Sequence, residues 1–291
     1  MSRIFEALHK ANLERKNGQS VLGDVVVNPI VALGIADPFP PKPTNLPEGI
    51  TTHAWKPSDA ALPILAEHGV PVEQLRRLRS RLYQLRSDST LKSILISSGM
   101  PEEGKSFVAA NLAITMAHKG GNRILLVDGD LRRPSLHSLL GAPDTPGLAE
   151  YLAGSASLHE ILQQNSREIL VAGSRKANLA NLFFISAGRS GDNSSELVAH
   201  PRFEEMMTAL AERFDWILID SPPVLVVTDA VDLARAADGV LLVARAARTS
   251  YDVARRAQAA FSKSRILGFV LNDVKDAPGA AYEYYSGQQV D

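Results

Sequence analysis

Residues 99–106 read Gly99-Met100-Pro101-Glu102-Glu103-Gly104-Lys105-Ser106, a full match to G-x-x-x-x-G-K-[ST]. An apolar run, Ser93-Ile94-Leu95-Ile96, precedes this stretch, and a helical pattern, Phe107-Val108-Ala109-Ala110-Asn111-Leu112-Ala113, follows it. Strand, glycine loop and helix together form the context in which such a stretch cradles phosphate. Glycines let backbone N–H groups turn toward phosphate oxygens, and the helix N-terminus adds the positive end of its dipole. Lys105 is placed to reach the β- and γ-phosphates, and the Ser106 hydroxyl to hold Mg²⁺. The chain is therefore expected to bind a nucleoside triphosphate.

Two further apolar runs end on carboxylates. One is Ile124-Leu125-Leu126-Val127-Asp128-Gly129-Asp130, and the other is Trp216-Ile217-Leu218-Ile219-Asp220-Ser221-Pro222-Pro223. In an open parallel sheet, ligands bind at the carboxyl ends of the strands. Asp128, Asp130 and Asp220 are thus expected to face the crevice that holds Lys105. An unpaired charge at a buried strand end is unfavourable, and Mg²⁺, which takes oxygen ligands and few carboxylates, is its natural partner. The plainer alternative is a carboxylate that caps the following helix, with Asp130 the leading candidate.

Bulk properties narrow the class. The 291 residues allow one large α/β domain with an appendage, or two small domains. With 31 basic and 32 acidic residues the net charge is −1, which does not favour a nucleic-acid partner. The absence of cysteine excludes disulfides and thiolate metal sites and fits a reducing compartment. No apolar run reaches membrane-spanning length, and the N-terminus lacks a signal-peptide core, so a cytoplasmic location is expected.

The chain divides into four parts. Residues 1–18 are expected to hold an amphipathic helix with Ile4, Phe5, Leu8 and Ala11 on one side. It either covers an apolar patch or docks on a partner or membrane surface. Residues 19–71 carry nine of the seventeen prolines and read as an extended linker. Residues 72–275 read as the nucleotide-binding domain, a parallel sheet with helices on both faces. Strands are expected near 93–97, 123–128, 168–172, 182–186, 216–220, 239–244 and 266–271. Helices are expected near 72–86, 105–118, 195–213, 229–236 and 250–262. Residues 276–291 form a tail.

Partition and division-site ATPases of this deviant-Walker fold carry a second lysine directly after the first loop glycine; Met100 stands there instead. The three motifs resemble those of the bacterial tyrosine kinases (BY-kinases) of exopolysaccharide and capsule synthesis. The resemblance rests on residues 97–106, on Asp128-Gly129-Asp130-Leu131-Arg132 as D-x-D-x-R, and on the run ending at Asp220. It covers the chain from about residue 72 onward. It implies a deviant-Walker P-loop fold and an ATP- and Mg²⁺-dependent autokinase, a cytoplasmic stand-alone form. Gly99 to Phe107 would line the nucleotide, Lys105, Asp128 and Asp130 would act in catalysis, and Ser106, Asp128 and Asp220 would hold the metal. Asp128 is favoured as acceptor of the tyrosine proton. Two positions depart from the family: Glu102 replaces a common Gly, and Phe107 replaces a frequent hydroxyl residue that contacts the α-phosphate. Asn272, ending the last strand, either contacts the base or caps a turn.

Two outlying features agree with the resemblance. Glu73-x-x-Arg76-x-x-Arg79 lies along one helix face. In BY-kinases such a motif pairs neighbouring subunits in a ring, although charged spacing alone also describes an ordinary solvated face. Three of the six tyrosines cluster in Tyr282-Glu283-Tyr284-Tyr285. BY-kinases autophosphorylate such tails between subunits; a tail packed on the domain is the alternative. The resemblance further implies a transmembrane activator or co-polymerase, a tyrosine phosphatase, and a place at the inner face of the membrane through a partner. The competing functional class is a nucleotide-switched assembly or regulatory ATPase without tyrosine kinase activity. A third is an ATP-binding scaffold with weak catalysis.

Overall fold

The structure is a computed structural model and describes residues 49–274, apart from residues 59–60, 67–68, 88–89, 119–120, 167–168, 172–174 and 178. The expected helix within residues 1–18, most of the proline-rich stretch and Tyr282, Tyr284 and Tyr285 lie outside the described residues.

In chain order the strands are β1 (Thr51–His53), β2 (Ser93–Ser98), β3 (Ile124–Asp128), β4 (Leu162–Asn165), β5 (Ile169–Val171), β6 (Arg175–Ala177), β7 (Leu182–Ile185), β8 (Trp216–Asp220), β9 (Gly239–Arg245) and β10 (Ile266–Asn272). The helices are α1 (Val70–Ser87), α2 (Lys105–Ala117), α3 (Leu136–Leu140), α4 (Leu148–Leu152), α5 (Leu158–Ile161), α6 (Ser194–Val198), α7 (Arg202–Ala211), α8 (Asp229–Arg235) and α9 (Tyr251–Ala260). Among the described residues eight strands form one sheet in the order β1-β4-β7-β3-β8-β2-β9-β10. Neighbours from β7 to β10 are parallel, whereas β4 runs antiparallel to β7 and carries β1 with it.

The central strands are buried along their whole length, which is why their sequences are continuous apolar runs rather than alternating ones. Successive side chains enter opposite layers. Ile94, Ile96, Ile124, Leu126 and Leu218 pack with α1, α2 and α3 on one face. Leu95, Leu125, Val127, Ile217 and Ile219 pack with α4, α7, α8 and α9 on the other. The doubly covered sheet read from the sequence is thus the fold, mostly parallel, with β4 antiparallel to β7.

Several expectations need correction. The linker does not run to residue 71. Strand β1 pairs with β4, Trp55 is buried edge-to-face on Phe184, and Leu62, Ile64 and Leu65 are buried. Proline content misled here, because Pro63 opens a 3₁₀ helix and Pro71 lies in the first turn of α1, positions that need no N–H donor. The helix expected over 195–213 is two helices, α6 and α7, with Pro201 at the start of the second. The strand expected near 168–172 is β5, which among the described residues pairs with β6 and lies outside the main sheet.

Candidate functional site

The carboxyl ends of β2, β3 and β8 lie side by side, with Asp128 directly across from Asp220 in the β3–β8 register. The loop after β2 turns at Gly104, whose φ of +91° is in the left-handed region. That conformation calls for glycine, and a Cβ there would also fall 2.0 Å from Asn272 Nδ2 and displace that side chain. Glu102 has a φ of +62° as well, a left-handed conformation that glycine adopts without cost.

Around the loop the charges converge. Lys105 Nζ donates to Asp130 Oδ2 at 3.0 Å and to Ser106 Oγ at 3.3 Å, and lies 3.8 Å from Asp220 Oδ2. The Ser106 hydroxyl donates to Asp220 Oδ2 at 2.5 Å. Asp128 accepts backbone N–H groups from Ser135 and Leu136 on Oδ2 and from Asp130 on Oδ1, at 3.1–3.3 Å. The carboxylate at the start of α3 is therefore Asp128, while Asp130 accepts the Arg133 N–H. Burial, the neighbouring Asp220 charge and Asp130 push Asp128 up to about 8, against the Leu136 N–H. Burial likewise pushes Asp220 up to about 6, against Lys105 and Ser106. Burial works to lower Lys105, but the fields of Asp220, Asp130 and Asp128 raise it on balance.

Three carboxylates thus share one ammonium, and Asp220 Oδ1 is buried without a hydrogen-bond partner. The cluster lacks positive charge. Among the described residues no group of three or more His, Asp or Glu side chains forms a metal cage. The donor set, one hydroxyl and one or two carboxylates, instead suits Mg²⁺ that keeps waters and substrate oxygens as its other ligands.

The raised carboxylates have a consequence for stability. Between the ordinary carboxylate range and about pH 8 the native state holds protons that the unfolded chain has lost, so stability falls as pH rises. The thermal midpoint of nucleotide-free protein is expected to drop from about pH 5 to about pH 8, and Mg²⁺–nucleotide to recover more of it at the higher pH. A midpoint that is flat or rising over this window would contradict the assignment.

Sequence reasoning missed Ser195, Asp229 and Asn111 and gave Arg132 no partner. Arg132, from D-x-D-x-R, donates to buried Asp229 at 3.0 Å, and Ser195 donates to the same carboxylate at 2.7 Å. Asn111 in α2 accepts the Ile64 N–H and donates to Ala61 O, both at 3.3 Å, joining the segment before α1 to the helix that begins at Lys105. A lone Asn in an otherwise apolar helix face was the visible signal. Asn272 donates to Glu103 O at 3.1 Å, and Phe107 packs half-buried against the core. In α1, Glu73 pairs with Arg76, whereas Arg79 Nη1 donates to Thr115 O in the last turn of α2 at 2.8 Å. Arg79 thereby satisfies a C-terminal helix carbonyl within its own chain. No described helix is long and apolar enough to cross a membrane.

A glycine loop between strand and helix, flanked by two strands that end on aspartate, defines a P-loop nucleotide-binding domain. The family described as an AAA domain (AAA_31) matches residues 92–255, more than half of the 291 residues. The tyrosine-protein kinase YwqD of Bacillus subtilis is 32% identical over 215 residues, covering 73% of this chain and 85% of its own length. The tyrosine-protein kinase ptk of Acinetobacter johnsonii is 33% identical over 219 residues; this is 74% of the present chain but 28% of that protein. The kinase domain of the Escherichia coli tyrosine kinase ETK superposes with a TM-score of 0.62 at 28% identity, covering 70% of this chain and 76% of that one. The chain belongs to the bacterial tyrosine kinases.

Proposed function

We propose that this chain is an ATP- and Mg²⁺-dependent protein-tyrosine autokinase that modifies its own tail between subunits and so regulates polymerisation and export of an exopolysaccharide or capsule. The observation that carries the reading is the convergence of Lys105, Ser106, Asp128, Asp130 and Asp220 on one loop, in a chain of this family. Ser106 and Asp220, with Asp128 behind them, would hold Mg²⁺, which when bound neutralises charge on the transferring phosphoryl group. Lys105 holds the γ-phosphate, and the loop N–H groups hold the others. The tyrosine oxygen attacks phosphorus, the bond to the β–γ bridging oxygen breaks, and the phenolic proton passes to Asp128. Asp130 keeps Lys105 aligned, and Asn272 contacts the base.

Tyr282, Tyr284 and Tyr285 are proposed as the acceptors. A Lys105→Met subunit with an intact tail is mixed with an active subunit truncated before Tyr282, in the presence of ATP and Mg²⁺. Phosphotyrosine is expected on the inactive subunit's tail. Modification mainly at Tyr83, Tyr151 or Tyr251 would overturn the tail assignment. Phosphate release without any phosphotyrosine would favour the regulatory ATPase.

A ring of subunits is proposed through the α1 motif, together with a transmembrane activator and an opposing phosphatase; the protein then sits at the inner face of the membrane through its partner. Arg79 is tied to α2, so the informative variant replaces Glu73 and Arg76 by Ala and keeps Arg79. Light scattering is expected to register a shift toward monomer, with nucleotide affinity kept. An unchanged mass distribution would return Glu73 and Arg76 to a solvated face.

A further inference from the structure

We infer that Glu103 is a positioning residue that fixes the P-loop to the turn between β9 and α9 before nucleotide arrives. The inference rests on the reading of this loop as a nucleotide cradle, but not on tyrosine as the acceptor. A free carboxylate inside a phosphate-binding loop is unfavourable, because it repels the triphosphate it surrounds. Here the Glu103 side chain is turned inward, with the residue 4% exposed. Oε2 accepts the Met100 N–H at 2.8 Å, and Oε1 accepts the Thr249 hydroxyl. The Thr249 oxygen in turn accepts the Arg245 N–H at 2.7 Å.

The same region of the fold holds the rest of the loop. Arg245 Nη1 donates to Glu102 O at 3.3 Å, while its Nε pairs with Asp273 at 2.9 Å. Asn272 donates to Glu103 O at 3.1 Å. Every one of these partners comes from the ends of β9 and β10, far from the loop in sequence. Within residues 100–103, the Glu103 side chain reaches the turn after β9 through the Thr249 hydroxyl. The Met100 N–H is consumed by this brace rather than left for a phosphate, which changes the part that Met100 and Glu103 play in the site. Both act on nucleotide through the shape of the loop.

Holding a binding loop in its bound form lowers the ordering cost of association. Loss of the brace therefore weakens nucleotide binding more than it slows the transfer itself. Hydrogen bonds to a charged group are worth enough that Glu103→Ala should weaken affinity by about tenfold to a hundredfold. Glu103→Gln keeps an acceptor for Met100 and a polar end facing Thr249, and should recover most of the loss. Thr249→Val removes the far end of the brace from outside the loop, which makes it informative even if Glu103→Ala folds poorly.

The experiment titrates each full-length variant with a fluorescent ADP analogue in the presence of Mg²⁺, and measures KM and kcat for ATP. The wild-type titration reports on the cradle, and the ratio of variant to wild type reports on the brace. The expected result is a rise in Kd and KM that exceeds the fall in kcat, rescue by Gln, and a Glu103→Ala/Thr249→Val double variant no weaker than the worse single one. A loss confined to kcat, failure of Gln to rescue, or additive losses in the double variant would overturn the inference.

Discussion

Replacing Lys105 by Met is expected to lower phosphotyrosine formation by about 10² to 10³ or more, with the fold retained. The ammonium is the one cation within 4 Å of the clustered carboxylates among the described residues, at 3.0 Å from Asp130 and 3.8 Å from Asp220. Its loss removes the group that offsets charge on the phosphoryl being transferred, and in phosphoryl transfer that electrostatic support is most of what a protein supplies. Folding should survive because the deprived carboxylates answer by taking up protons, a direction in which burial already pushes Asp128 and Asp220. Single-turnover assays with a selected activator check the rate, and thermal melts check the fold. A wild-type rate in this variant would remove Lys105, and with it the loop, from the active centre. Asp128→Asn is a less clean probe. Asp128 accepts three backbone N–H groups, and an amide in its place turns an N–H₂ toward some of them. A lost rate there would mix chemistry with a displaced loop over residues 129–135.

What could be read in advance follows a physical division. The glycine loop and the strands ending at Asp128 and Asp220 were legible because each is a contiguous run whose apolar residues and polar end serve one purpose. Strands β1, β4 and β6 were not. Thr51-Thr52-His53, Leu162-Gln163-Gln164-Asn165 and Arg175-Lys176-Ala177 lack the apolar runs of the central strands, so periodicity gives no signal for them. The break between α6 and α7 was visible in Pro201, yet the amphipathic pattern on either side outweighed it. The lysine, serine and aspartates that meet at the site were likewise named from local motifs. Their supports were not, because Arg132–Asp229 and Thr249–Glu103 join residues 97 and 146 positions apart. One sequence carries no record of such pairings until the fold brings them together. The oligomer motif is a related case. Helical spacing aligned Glu73, Arg76 and Arg79 on a face, but could not tell that Arg79 ends on the Thr115 carbonyl of its own chain.

The second large effect concerns the segment that the prolines disguised. A chain beginning at Gly49 keeps the described residues and serves as the reference. One beginning at Val72 is expected to be insoluble or to unfold at a much lower midpoint. Residues 49–66 contribute an edge strand and bury Trp55, Leu62, Ile64 and Leu65 against α2, α3 and β7. Each fully buried side chain of this size is worth about 1.5–3 kcal/mol. The segment also makes buried hydrogen bonds to the rest of the domain, since Asn165 Oδ1 accepts the Trp55 backbone N–H at 3.1 Å and Asn111 bonds to both Ala61 and Ile64. Cutting at Val72 therefore uncovers Phe184, the α2 face around Asn111 and part of α3 together. A subtler variant isolates the main contact. Trp55→Ala leaves the chain intact and should cost about 3–5 kcal/mol, read as a lower urea midpoint with an unchanged slope. Because α2 begins at Lys105, loosening this segment should also reduce nucleotide affinity, although no residue of 49–66 lies in the P-loop. A chain starting at Val72 that matched the full chain in both midpoint and nucleotide affinity would make the segment a tether after all, and the compact unit would then begin at α1.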